Sequence, residues 1–339
     1  MVFTENDILL VTGASGLVGS HVCQTARGRG VRTRAIIRES ARDDFLKQCG
    51  VETVIGDLTD QDSLRAAIDG TTCVVHCAAK VGDWGPVEDY RRVNVGGTQS
   101  LIEECQTAGS VKRFVHVSSL GVCQARDHYG TDETEPPNAT GIDGYTVSKA
   151  ETELLVRERI DTSKFPAVIL RPGFIYGPRD RTVLPRIFER LKSKQFKFLG
   201  SGKQLLNNTF VSNLVDAIFL AIERDDCVGK LFHITDGQLV SKREFITTIA
   251  MLAELPVPTK SVPLPVARAV AQLMETTSRL LGKTEAPLLC SARIKFLGLN
   301  LDFCIDKARR ELGYQPKVEF TDGMRETVEW CRAEGLLES

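Results

Sequence analysis

The sequence has almost no net charge, no long apolar run and no paired cysteine motif, and each lack closes off a class of function. Its 43 basic and 44 acidic residues leave a formal net of −1, so it carries no electrostatic footprint for nucleic acid. No apolar stretch reaches the roughly 18 residues that a spanning helix needs. Met1 to Asp7 leads straight into an apolar strand, without the layout of a signal peptide. The expectation is a cytoplasmic protein with no nucleic-acid partner and no spanning segment. Ten cysteines are scattered along the chain, yet no Cys-x-x-Cys pair occurs, which argues against a disulfide framework. Cys73 and Cys77 come closest, and in an apolar run they read as two thiols on one face of a strand. The five histidines, His21, His76, His116, His128 and His233, stand apart without ligand spacing, so no metal is expected.

What is present is the composition of a globular protein, 42% hydrophobic and 26% charged over 339 residues, enough for one large domain or two interlocked ones. From residue 7 the first half alternates apolar β-branched runs with stretches of helical period. Strands are expected at Ile8 to Thr12, Val31 to Ile37, Glu52 to Gly56, Cys73 to Ala78, Arg113 to Ser118 and Ala167 to Arg171. Helices are expected near 17 to 28, 60 to 68, 88 to 108 and 144 to 160. That alternation predicts an α/β, doubly wound parallel sheet of the Rossmann type. The pattern loosens after Pro172. A helix near 184 to 193, a helix at 211 to 223 and a strand at Leu231 to Ile234 are expected, followed by a mainly helical tail. We therefore read residues 1–177 as the dinucleotide-binding domain, with 207–237 returning to it. Residues 178–206 and 238–339 read as a smaller substrate-binding part. The apolar stretch Pro265 to Gly282 reads as a helix packed on the core, with weak membrane-surface contact or a greasy pocket wall as the other readings.

Three groups of residues carry chemistry. Strand Ile8 to Thr12 runs into Gly13-Ala-Ser15-Gly16-Leu17-Val18-Gly19. Glycines that follow a strand and open a helix let backbone N–H groups approach and hold a pyrophosphate. Where the second strand ends, an acidic residue would meet the ribose hydroxyls of NAD. Arg38 stands there instead, and its guanidinium suits a 2′-phosphate, so NADP(H) is the preferred cofactor with NAD(H) still open. Tyr145 and Lys149 share a helix face at i, i+4, a spacing that none of Tyr90, Tyr129, Tyr176 and Tyr314 shows. Lowering a tyrosine pKa by about 3 units takes about 4 kcal/mol. A cation near 4 Å supplies about that much at an effective dielectric of about 20, so Lys149 is expected to make Tyr145 a usable acid/base. Ser118 and Ser119 lie at the carboxyl end of a strand, where ligands bind in open α/β sheets.

With those pieces in place the sequence resembles the extended short-chain dehydrogenase/reductase superfamily over nearly its whole length. The resemblance rests on Thr12 to Gly19, Gly56-Asp57-Leu58, His76-Cys-Ala-Ala79, Asn94-Val-Gly-Gly-Thr98, Val117-Ser-Ser119, Tyr145 to Lys149, Arg171-Pro-Gly-Phe-Ile-Tyr-Gly-Pro178 and Gly313-Tyr-Gln-Pro316. It implies that Asp57 and Leu58 border the adenine and that Ala78, Ala79 and Lys80 run under the cofactor. Asn94 would brace the active-site helix, and Lys149 would also hold the nicotinamide ribose. Pro172 and Gly173 would sit by the nicotinamide amide, and Val117 and Ile175 are further cofactor-binding candidates. Ser119 matches the catalytic Ser/Thr better than Ser118 does. The family's helix pairing implies a homodimer.

Nucleotide-sugar enzymes of the superfamily usually carry Asn where this chain has Phe174. The sequence is closer to the 3β-hydroxysteroid dehydrogenase branch, with its sterol-4-carboxylate 3-dehydrogenases and 2-alkyl-3-oxoalkanoate reductases. That implies hydride transfer at C3 of a small hydrophobic substrate bearing a hydroxyl or oxo group. Trp84, Phe174 and Ile175 are candidates for its wall, and Lys80 or Arg179 for its acid group. A nucleotide-sugar epimerase or dehydratase with retained NAD, and a non-catalytic dinucleotide-binding sensor, are the alternatives.

Overall fold

The computed structural model describes residues 1–283 and 285–337, so the last two residues of the expected substrate part lie outside the described residues. Strands β1 (Ile8–Thr12), β2 (Arg32–Ile37), β3 (Glu52–Ile55), β4 (Cys73–His76), β5 (Arg113–Val117), β6 (Ala167–Pro172) and β7 (Leu231–Ile234) form one sheet in the order β7-β6-β5-β4-β1-β2-β3. All of its pairings are parallel. The inner strands are apolar almost without interruption because both faces are covered. On one face α1 (Leu17–Gly28) and α5 (Val211–Glu223) pack Val22, Ala26, Leu214 and Ile218 against Val11, Val75 and Val115. On the other, α2 (Gln61–Ile68), α3 (Gly97–Ala108) and α4 (Gly144–Ser163) pack Leu64, Leu101 and Val156 against Leu10, Val74 and Phe114. The strand order reverses between β1 and β4, and this opens a crevice at their carboxyl ends.

The second half adds α6 (Leu264–Leu280) and α7 (Ser291–Gly298), with a separate aromatic cluster around Tyr176, Phe188, Phe245 and Phe320. With one exception the expected strands and helices of the first half are present, with boundaries within a few residues. The segment expected as one helix near 88 to 108 is instead a short α turn Val87–Tyr90, a wide π turn Arg91–Gly96 and then α3. The wide turn carries Asn94 inward, and π turns of this kind recur at functional sites. The core-packing expectation for residues 265–282 holds only for one stripe. Helix α6 buries the small side chains Ala267 and Ala271, while Val266, Leu273 and Leu280 face outward. All ten cysteines are free. Cys73 is buried and Cys77, partly buried, packs against the same core cluster. Burial pushes the Cys77 and Cys105 thiols up to about 12.

One buried ion pair ties α4 to the sheet. The Glu153 carboxylate, without exposure, accepts from the equally buried Arg171 on β6 at 2.7 and 2.8 Å, and from Ser118 Oγ at 2.8 Å. Arg171 also donates to the Glu135 carbonyl at 2.9 Å. Arg157, half-exposed, adds two bonds to Glu153 from the rim at 2.7 and 3.0 Å. Removing one partner of a buried pair leaves the other charge uncompensated. Glu153→Ala is therefore expected to cost about 3–5 kcal/mol of unfolding free energy in a urea titration, and Arg157→Ala under about 1 kcal/mol. Equal losses in the two variants would refute this ranking.

Candidate functional site

The crevice between β1 and β4 is built to receive the backbone-facing side of a ligand. Gly13, at the end of β1, has φ +69°, and a Cβ there would stand 2.8 Å from the Ala78 nitrogen. At Gly19 a Cβ would stand 2.3 Å from the Gly13 carbonyl oxygen, so α1 packs on its strand only because this residue has no side chain. Helix α1 starts after Gly16 with no capping side chain and no acidic residue in its first turn. Ser15 and Gly16 are exposed, and Leu17 and Val18 are half-buried. An open helix N-terminus of this form fits the pyrophosphate of a dinucleotide, because its free N–H groups and dipole both favour an anion.

Below the crevice runs a buried chain of hydrogen bonds that the sequence reading left out. The Ala78 N–H donates to Thr12 Oγ1 at 3.2 Å, and Thr12 Oγ1 lies 2.7 Å from His76 Nδ1. His76 Nε2 lies 2.8 Å from Thr98 Oγ1, which donates to the Asn94 carbonyl at 2.6 Å. Because Thr98 gives its proton to Asn94, it accepts from His76 Nε2–H, and Nδ1 then accepts from Thr12. The chain is satisfied with the imidazole neutral. The Asn94 amide closes the floor: it accepts from the Lys80 N–H at 2.6 Å and donates to the Lys80 carbonyl at 3.1 Å and to Ser148 Oγ at 2.9 Å. Asn94 thus braces both the Ala78–Lys80 segment and α4.

Helix α4 lies across the end of β5 and presents one face in three successive turns. Asp143 caps it, accepting from the Thr146 N–H at 2.8 Å. The Ser119 side chain lies close enough to Tyr145 to lower its proton affinity. Four residues on, the buried Lys149 ammonium donates to the Val117 carbonyl at 2.7 Å. After four more comes Glu153, which takes the Ser118 hydroxyl. The two adjacent serines are thereby separated: Ser118 is locked into the ion pair, and Ser119 faces Tyr145 while its Oγ accepts from the Gly121 N–H at 3.0 Å. The expected lowering of Tyr145 by Lys149 is absent. Burial pushes the Tyr145 hydroxyl up to about 12, against a smaller lowering by Ser119. Burial lowers the Lys149 ammonium to about 8, against smaller raising by Cys77 and Glu153.

Arg38 is exposed at the end of β2, beside Asp57. Partial burial works to raise the Asp57 carboxyl, but its bonds from Thr59 together with the charges of Arg38 and of Arg92 hold it below its ordinary value. Arg92 is a second cation in this corner, and the sequence reading missed it because it lies on a different element. Leu58 is buried and packs under α3, where a Cβ on Gly97 would meet it at 2.7 Å.

On the substrate side, Pro172 ends β6 and the Gly173 N–H donates to Thr209 Oγ1 at 3.0 Å. A Cβ on Gly173 would meet the Asn207 carbonyl. Phe174 packs on Phe296 of α7 at 4.8 Å between ring centroids, and Ile175 turns back to the core. Trp84 is fastened to the C-terminal part, its Nε1 donating to the Lys283 carbonyl at 3.0 Å. Arg179 is not available to a substrate acid group, because it donates to Ser20 and Gln24 on α1 and stacks on Phe45. The Lys80 ammonium likewise turns away to Asp89 and the Tyr90 ring. Among the described residues, no group of three His, Cys, Asp or Glu side chains is arranged to hold a metal, and no helix is long and apolar enough to cross a membrane.

Residues 9–234 match the model of the NAD dependent epimerase/dehydratase family. The chain belongs to that family. It is an extended short-chain dehydrogenase/reductase, an NAD(P)-dependent oxidoreductase whose cofactor is a nicotinamide dinucleotide. It is 30% identical to the "4-hydroxy-2-methyl-3-oxo-4-farnesyl-3,4-dihydroquinoline-1-oxide ketoreductase" of Stigmatella aurantiaca, with 93% of each chain covered. It is 30% identical to a "2-alkyl-3-oxoalkanoate reductase" of Shewanella oneidensis, over 93% of this chain and 84% of the other. A "Sterol-4-alpha-carboxylate 3-dehydrogenase, decarboxylating" of Dictyostelium discoideum is 29% identical over 94% of this chain and 99% of the other. Among solved structures, gox2253 superposes with a TM-score of 0.83 at 28% identity, covering 98% of this chain and all of that one.

The neutral buried histidines of this fold give it a defined acid lability. Burial, with Lys149 second, holds His76 near 3 and His116 well below its ordinary value; burial, with Arg171 second, holds His233 near 3. Between those values and 6.5 the unfolded chain binds protons that the fold excludes. Their stability contribution is therefore complete above pH 6.5 and is lost on acidification, at about 1.4 kcal/mol per pH unit for each histidine. His116, whose two ring nitrogens have no partner, tests this. His116→Phe is expected to reduce the slope of unfolding free energy against pH by about 1.4 kcal/mol per unit between about pH 4 and 6, and an unchanged slope would overturn the assignment.

Proposed function

We propose that the protein reduces a hydrophobic 3-oxo compound with NADPH. The observation that carries this reading is the gathering of Tyr145, Ser119 and Lys149 at the carboxyl end of β5. A protonated phenol beside a serine hydroxyl can give its proton to a ketone oxygen. The names of the relatives support the substrate class: ketoreductase, 3-oxoalkanoate reductase and sterol 3-dehydrogenase all describe an oxygen function on a large apolar body.

In this reading the bound nicotinamide supplies the hydride. Ser119 orients the substrate oxygen, with its own position fixed by the Gly121 N–H, and Tyr145 gives the proton to that oxygen as it becomes an alkoxide. Lys149, its ammonium fixed on the Val117 carbonyl, holds the nicotinamide ribose. Gly13 to Gly19 take the pyrophosphate, Asp57 and Leu58 border the adenine, and Ala78, Ala79, Lys80 and Val117 line the floor. Pro172, Gly173 and Ile175 stand by the nicotinamide. Residues 178–206 and 238–337 close the substrate side. The 2′-phosphate of NADPH meets Arg38, with Arg92 beside it; two cations in one corner around Asp57 support the preference for NADPH.

Nicotinamide fluorescence on titration with NADPH and NADH, followed by a panel of oxo-lipids, oxosteroids and UDP-sugars, tests the whole assignment. Exchangeable binding that favours NADPH, with oxidation by an oxo-lipid or oxosteroid, is expected. Protein that purifies with NAD it does not exchange, and responds only to a sugar nucleotide, would replace this reading by an epimerase. Tyr145→Phe is expected to keep nucleotide affinity and lower kcat by about 10²–10⁴-fold; retained turnover would remove Tyr145 from its role. Arg38→Ala is expected to lower the NADPH/NADH ratio of kcat/KM by about tenfold or more, and a further fall with Arg92→Ala would assign the second cation. A ratio that does not move in either variant would detach NADPH preference from this corner.

A further inference from the structure

Helix α6 buries a narrow stripe of small side chains and leaves its larger apolar side chains outside. Ala267, Ala271 and Ser278 are buried, and the two alanines pack with Leu199 and with Ile294 of α7 in a small cluster. Val266, Val270, Leu273, Leu280 and Leu281 follow one another at i, i+4, i+7, i+14 and i+15, which gathers them on a second face of the helix and its C-terminal cap. All five are exposed, Leu273 by 66%, Leu280 by 81% and Leu281 by 71%. Single apolar side chains on a surface are ordinary, but a row of five on one face marks a contact surface.

The row continues into the loops at the end of α6. Trp84 Nε1 donates to the Lys283 carbonyl at 3.0 Å, which brings up the loop that carries the exposed Val81. Arg293 donates to the Leu288 carbonyl at 2.9 Å and to Asp83 of that loop at 2.5 Å, so the exposed Leu288 joins the same corner. The charges beside the row are mostly of one sign. Of the two acids in residues 264–290, Glu275 turns inward and accepts from the Ser291 N–H at 2.6 Å and the Ser291 hydroxyl at 3.1 Å. That leaves Glu285 against Arg268, Arg279 and Lys283, all exposed, and among the described residues none of these three cations is in an ion pair. The centre of the row is aliphatic throughout, without the buried aromatic anchors that concentrate binding energy at protein interfaces. Aliphatic side chains flanked by unpaired cations complement a layer of acyl chains beneath anionic headgroups.

We propose that α6 docks the protein on an anionic lipid surface, with Val266, Val270, Leu273, Leu280 and Leu281 entering the headgroup boundary and Arg268, Arg279 and Lys283 meeting the lipid phosphates. The helix lies in that surface and does not cross it, since no described helix is long and apolar enough to span. This docking needs neither nucleotide nor substrate, so it stands or falls apart from the reductase reading.

The test is flotation of the full chain with vesicles of phosphatidylcholine alone, and with vesicles of equal parts phosphatidylcholine and phosphatidylglycerol. The wild type is expected to float with the anionic vesicles and to bind the neutral ones at least tenfold more weakly, as about fivefold per cation implies. The double variant Leu273→Glu, Leu280→Glu is expected to lower binding to the anionic vesicles by about 100-fold or more. Arg268→Glu with Lys283→Glu is expected to abolish the preference for anionic lipid. Each changed side chain is exposed in the fold, so the urea midpoint and NADPH affinity of both variants are expected to match the wild type, which separates lost docking from lost structure. Wild-type protein that floats with neither vesicle overturns the proposal. If light scattering then shows the wild type as a larger assembly that Leu273→Glu, Leu280→Glu dissociates, the face belongs to a second copy of the chain. Binding that survives Leu273→Glu, Leu280→Glu also overturns the proposal, because another surface then carries it.

Discussion

The site depends on how α4 is laid against the end of β5. Three successive turns of the helix each reach one residue of that strand end: Tyr145 reaches Ser119, Lys149 reaches the Val117 carbonyl and Glu153 reaches Ser118. A rotation of the helix would break all three contacts together, because they lie on one face at i, i+4 and i+8. The buried pair of Glu153 with Arg171 sets the register. Its worth lies less in net stability than in the unpaired charge that any other docking would leave. The Asn94 amide, supported by the wide turn around it, braces the same helix through Ser148.

The upper two rungs were legible in the sequence because their spacing is local. Tyr145 and Lys149 declare a helix face, and the serines declare a strand end. Glu153 did not stand out, because its meaning comes from Arg171, which reaches it only through the pairing of β6 with β5. His76 was read as an isolated histidine for the same reason: its partners Thr12 and Thr98 lie 64 and 22 residues away in the chain. The strands were readable because continuous apolar runs are what a sheet buried on both faces requires. The segment around Asn94 was not, since a wide turn and a regular helix share the same apolar pattern.

The electrostatics show what spacing alone leaves open. An i, i+4 pair places two side chains on one face but does not say where a long one ends. Here the Lys149 ammonium ends on a carbonyl, and the same burial moves the two groups in opposite directions, the phenol up and the ammonium down. The result is a neutral hydroxyl and, one turn on, an ammonium whose hold on its proton is weakened. Two groups whose proton affinities are drawn apart in this way are suited to different roles in one proton transfer.

The ten thiols have a use of a different kind. None is bonded to another, most are buried within the core clusters, and burial raises several of them far out of the reactive range. A thiol must become a thiolate to react, so burial makes the covered sulfurs slow to react in the folded chain. They become reactive only when the element that covers them opens. They are spread over both faces of the sheet, from Cys23 on α1 and Cys105 on α3 to Cys331 near the end of the chain. The rate at which each one is alkylated thus records, region by region, how often the native structure breathes.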